Sequence, residues 1–90
     1  MFVSVKEENE EFEIRKIVTA EEKEILTRAL NGINGWRFTP ITLVTKGIED
    51  YYFICKVKIM LGNVHMKIAK VHIKIEKDDE PQLLSIEEIL

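Results

Sequence analysis

"YYFICKVKIMLGNVHMKIAKVHIKIE", residues 51–76, decides the fold. Its first half alternates. Tyr51, Phe53, Cys55, Val57, Ile59 and Leu61 fall on one parity, and Tyr52, Ile54, Lys56, Lys58 and Met60 on the other. A period of two rich in aromatic and β-branched residues marks a strand with one buried face. Gly62-Asn63 is a two-residue turn signal, so the second half folds back antiparallel on the first. There Val64, Met66 and Ile68 share one parity, and Val71, Ile73 and Ile75 share the other. A one-residue slip turns a strand's apolar set to the opposite face, so the switch near Ala69 and Lys70 predicts a bulge.

Upstream, "LVTKGIEDYYFICKV", residues 43–57, reads as another hairpin. Pro40 has no amide proton to give a ladder, which predicts a sheet edge or a strand start in "WRFTPITLV". "EFEIRKIV", residues 11–18, predicts a half-buried strand with Phe12 and Ile14 turned inward. Between these lies a helix. Thr19 is its cap, Glu22 closes a capping box, and Ile25, Leu26, Ala29, Leu30 and Ile33 form one apolar stripe. Gly32 and Gly35 in "NGING" end it. Downstream, "EKDDEP" is a polar loop. "QLLSIEEIL" either alternates Leu84 and Ile86 in a last strand or boxes a short helix with Ser85 and Glu88, and the strand is the preferred reading.

One amphipathic helix needs a surface to cover, so the expected architecture is α+β: the helix packed on a curved antiparallel sheet of four to five strands. Ninety residues make one domain, 1–90, with residues 1–10 expected to be flexible.

Charge is unevenly spread within the net −3. Residues 1–24 hold four bases against eight acids, residues 55–75 hold five lysines and no acid, and residues 76–90 hold one lysine against six acids. Lysines alternating with apolar residues are what the wet side of a sheet carries, and the acidic flanks would repel a nucleic acid. No nucleic-acid partner is expected. No apolar run approaches membrane-spanning length, and the single cysteine fits a cytoplasmic protein.

Catalytic patterns are missing. Ser4 and Ser85 lie near the termini with no histidine and acid arranged beside them. His65 and His72 sit seven apart with no further ligand pattern, so neither a metal nor a cofactor is expected. Cys55 shares parity with Phe53 and Val57, the position of a buried, inert thiol rather than a nucleophile. The reading is a non-enzyme.

Laid end to end, these elements resemble a cystatin, and within that superfamily the small, disulfide-free stefins. The likeness covers residues 12–86. "LVTKGIEDYYFICKVKI" is similar to the family's Gln-x-Val-x-Gly hairpin and the tyrosine-rich strand after it, and Val64, His65, Met66, Lys67 and Ile68 resemble a stefin Val-His-Leu-Lys-Val stretch. Gly47 matches the motif glycine, while Leu43 and Thr45 stand in place of its glutamine and valine. The resemblance implies a reversible inhibitor of papain-like cysteine proteases that enters the active-site cleft as a wedge. Its first loop would be Leu43, Val44, Thr45, Lys46 and Gly47, its second would lie near Val71 and His72, and its N-terminal segment would be the third contact. It also implies a monomer or a domain-swapped dimer. The alternative is a non-inhibitory interaction module of the same fold, which would recognise another protein through its open sheet face or an edge strand.

Overall fold

The computed structural model describes residues 12–59, 66–77 and 79–89. The segment 1–10, the Gly62-Asn63 turn and His65 lie outside these. The order of elements is β1 (Phe12–Arg15), α1 (Ala20–Ala29), β2 (Trp36–Lys46), β3 (Asp50–Ile59), β4 (Met66–Lys74) and β5 (Gln82–Glu88). The strands form one sheet in sequence order, each antiparallel to its neighbours. Helix α1 packs on one face of this sheet, which makes the fold α+β.

The core follows from the alternation in β3. Phe53, Cys55 and Val57 point to the helix side and meet Leu43 of β2 and Ala69, Val71 and Ile73 of β4, all nearly or wholly inaccessible to solvent. Leu26 is the buried residue of α1, with Ile25, Ala29 and Leu30 packed around it. Ile33, the expected end of the stripe, follows the helix and is partly exposed. The capping box forms as its spacing requires: the Glu22 amide donates to Thr19 Oγ1 at 3.1 Å, and the Thr19 amide donates to Glu22 Oε1 at 2.9 Å.

Three sequence expectations give way to the ladder register. Phe12 and Ile14 do not turn inward; they are 65% and 67% exposed. Directly paired residues share a face, and Arg15 pairs with core-facing Leu43 whereas Ile14 pairs with Val44. The inward parity of β1 therefore belongs to Glu13 and Arg15, and Arg15 Nη1 donates to Glu22 Oε2 at 2.9 Å across to the helix start. Val18, in the connection to α1, is the residue of this segment that joins the core.

No bulge occurs at Ala69–Lys70, because β3 and β4 pair without a shift from Asp50–Lys74 to Lys58–Met66. Met66 and Ile68 lie on the face away from the helix, so the apolar set changes parity while the backbone stays regular. The irregularity sits instead between His72 and Ile73 as they pair with β5. Ser85 pairs with His72 and Leu83 with Ile73, which leaves Leu84 as the extra residue. Leu83, not Leu84, packs against the core, and Leu84 is exposed. The tail is a strand.

Pro40 lies mid-strand in β2 yet at a sheet edge, since β1 pairs only with Leu43–Lys46. A register shift between Pro40 and Thr42 follows it, and Ile41 is the residue left over. Phe38 and Pro40 before the shift and Leu43 after it thereby share one face.

Candidate functional site

One row of the sheet collects the ends of all five strands. Phe12 pairs with Lys46, Lys46 with Asp50, Asp50 with Lys74, and Lys74 with Gln82. Beyond that row project the β2–β3 turn, residues 47–49, and the described residues of the β4–β5 connection, 75–77 and 79–81. The start of β1 is at the same end. The two connections touch: the Ile75 amide donates to the Glu49 carbonyl at 2.8 Å.

The hairpin apex is Gly47-Ile48-Glu49. Gly47 adopts φ of +65°, in the left-handed region that glycine enters without cost from a Cβ. Ile48 follows it, 90% exposed and with no core to enter. Polar contacts brace the base of this apex. His72 Nε2 lies 2.9 Å from Asp50 Oδ1, the His72 and Tyr52 rings stack at 4.2 Å, and Lys74 Nζ stands 3.9 Å from Glu49 Oε1. Lys46 Nζ lies 5.6 Å from the centre of the Phe12 ring, a cation–π distance. The site is thus an apolar tip on a braced hairpin, flanked by charges of both signs.

The residues singled out from the sequence are spread differently. Leu43 has no exposed surface; it is a core residue and offers a partner nothing in this conformation. Val44, Thr45 and Lys46 are half-buried members of β2, and of the five only Gly47 reaches the apex. Val71 is wholly buried in β4 opposite Phe53, and His72 is tied to Asp50 rather than set in a loop. Ile48 was not among the sequence candidates. Counting the antiparallel ladder back from "DYYFICKV" finds it, because Lys46 opposite Asp50 leaves three residues for the turn.

Cys55 is buried, and that burial pushes its thiol from 9.0 up to about 12, so at neutral pH it stays protonated. Among the described residues no three His, Cys, Asp or Glu side chains group as metal ligands, and no helix is long and apolar enough to cross a membrane. Compared with protein-family models, with curated proteins and with solved structures, the chain matches none.

Proposed function

We propose that this chain is a reversible inhibitor of papain-like cysteine proteases, of the cystatin type, that enters the active-site cleft through the sheet end described above. The observation that carries this reading is Ile48: an isoleucine 90% exposed at a glycine-turned hairpin apex. An apolar side chain held out on a braced turn gains by inserting into a cleft that is dry when filled. Burying an isoleucine is worth about 1.5–3 kcal/mol, or roughly ten- to a hundredfold in affinity. The start of β1 and the described residues of the β4–β5 connection, 75–77 and 79–81, stand at the same end, where the family likeness needs its other two contacts. In this reading residues 75–77 and 79–81, rather than Val71 and His72, supply the second contact.

The wedge presents no bond for cleavage and uses neither cofactor nor metal. A single free cysteine fits the reducing cytoplasm as its compartment. The active form is the monomer, since exchange of strands through an opened β2–β3 hairpin would remove the apex.

The test is a titration of papain with the folded monomer, following hydrolysis of a peptide substrate. Competitive inhibition weakened about tenfold or more in Ile48→Glu supports the wedge. A folded protein that leaves papain and a cathepsin L-type protease fully active at about 50 μM, some 6 kcal/mol of binding, overturns it for those enzymes.

A second reading rests on its own observation. Phe12 and Ile14 are exposed together on the sheet face away from the helix, which suits an interaction module that binds another protein there.

A further inference from the structure

The face of the sheet away from α1 carries a cluster of cations with no acid paired to them among the described residues. Arg37 and Lys58 are directly paired across β2 and β3, and Lys56, two residues along β3, is opposite Thr39. All three side chains lie on the same face, because paired residues share a face and residues two apart in a strand do too. Like charges directly opposite each other destabilise a sheet. Elsewhere on β4 the lysines have acids: Lys70 lies 3.1 Å from Glu87 and Lys67 lies 3.1 Å from Glu88. Among the described residues no acid stands within ion-pair distance of Arg37, Lys56 or Lys58.

Beside these cations the surface turns apolar. Ile68 pairs with Lys56 and Met66 with Lys58, and Met66 is 60% exposed. Among the described residues Lys56, Met66, Lys67 and Ile68 line a shallow depression. On the side of β2 away from β3, no strand among the described residues pairs with Trp36 to Thr42. Cations, an apolar seat and an open edge therefore adjoin one another.

We infer that this corner of the sheet is a docking surface for an acidic, extended segment of a partner protein, with carboxylates on Arg37, Lys56 and Lys58 and an apolar side chain on Met66 and Ile68. Charge complementarity selects an anionic partner, since three cations without an acid among the described residues stand out on a chain of net charge −3. Ring geometry selects a polypeptide over a single-stranded nucleic acid. Bases bind by stacking on open aromatic faces. The aromatic ring of this face in β3, Tyr52, is already stacked on His72, with Lys70 Nζ 5.8 Å from its centre. The surface lies at the far end of the β2–β3 ladder from Gly47, on the order of 30 Å away at strand spacing. It does not depend on the protease reading, and both sites could be filled at once.

The test uses two fluorescent peptides, one of glutamates with interspersed leucines and one with glutamine in place of each glutamate, and a labelled oligothymidylate. Saturable, salt-sensitive binding of the glutamate peptide alone is expected, weakened about tenfold or more by Arg37→Glu and by Lys58→Glu and unchanged by Lys23→Gln on the helix. Arg37→Glu should also raise the thermal midpoint, because it turns a like-charge pair into an opposite pair. Equal binding of both peptides, or glutamate binding indifferent to Arg37→Glu and Lys58→Glu, overturns the inference. So does oligothymidylate binding in place of peptide binding, or a thermal midpoint that falls in both charge reversals.

Discussion

His72 and Asp50 form a polar clasp across the β3–β4 ladder, Nε2 to Oδ1 at 2.9 Å, with both side chains about a quarter exposed or less. Asp50 is the first residue of β3, immediately after the apex turn, so the clasp fixes the direction in which the turn leaves the sheet. Stacking of Tyr52 on the His72 ring holds the imidazole in place for it. His72 thereby supports the apex from behind.

If so, Asp50→Asn and His72→Gln should each cost about 1 kcal/mol of stability and show strong coupling in a double-mutant cycle. Both should weaken the proposed protease inhibition less than Ile48→Glu does. Denaturant midpoints with matched papain titrations check this. Additive losses of stability would show that the two side chains act independently.

The helix start gives a graded pair of outcomes. Thr19→Ala removes one hydrogen bond of the capping box and should cost about 1 kcal/mol. Glu22→Ala removes the other and also the Arg15 contact, so it should cost more, about 1–2 kcal/mol, even though the Arg15 side chain is 43% exposed. Urea unfolding of the two variants ranks them. Equal losses would mean that the Arg15–Glu22 pair adds nothing to the cap.

How legible these features were depended on how local their causes are. The capping box was readable because Thr19 and Glu22 act within one turn. The parity of β3 was readable because its two faces differ in chemistry at nearly every position. The facing of β1 was not: Phe12 and Ile14 look like an inward pair, and only the non-local match of Arg15 with Leu43 turns them outward. Likewise Leu83 and Leu84 are chemically identical, so the shift that brings Leu83 to the core leaves no mark in the letters. At the hairpin, Gly47 was found by its likeness to a motif glycine, but matching the motif placed the loop in what proves to be the end of β2. Ile48, one residue beyond the motif glycine, falls outside that match. A branched apolar residue between two turn residues is unusual enough to have served as the signal.

Gly47 separates conformational cost from binding cost. A Cβ added there meets nothing within 4 Å, so any loss of stability reflects the φ of +65° alone. Gly47→Ala should lower stability by about 1 kcal/mol, and Gly47→Asn by less, since asparagine tolerates the left-handed region. Gly47→Glu adds a charge at the apex and should abolish the proposed inhibition while resembling Gly47→Ala in stability. Inhibition retained in a folded Gly47→Glu variant would remove the apex from the contact surface.

Burial of Cys55 ties stability to alkaline pH. The folded chain holds its thiol proton up to about 12, whereas the unfolded chain releases it near the ordinary thiol value of 9.0. Below about pH 9 both states carry the proton and stability is unaffected by it. As pH rises from 9.0 towards 12 the unfolded state alone ionises, which draws the equilibrium away from the fold. The difference from Cys55→Ala isolates the contribution of the thiol. Denaturant midpoints taken from about pH 8 to about pH 11 should fall more steeply for the natural chain than for the variant. The natural thiol should also react with a disulfide reagent only as fast as the fold opens. Parallel midpoint curves and prompt labelling of the folded protein would show instead that the thiol is reachable from solvent, and that the sheet at Cys55 opens far more readily than its packing between Phe53 and Val57 implies.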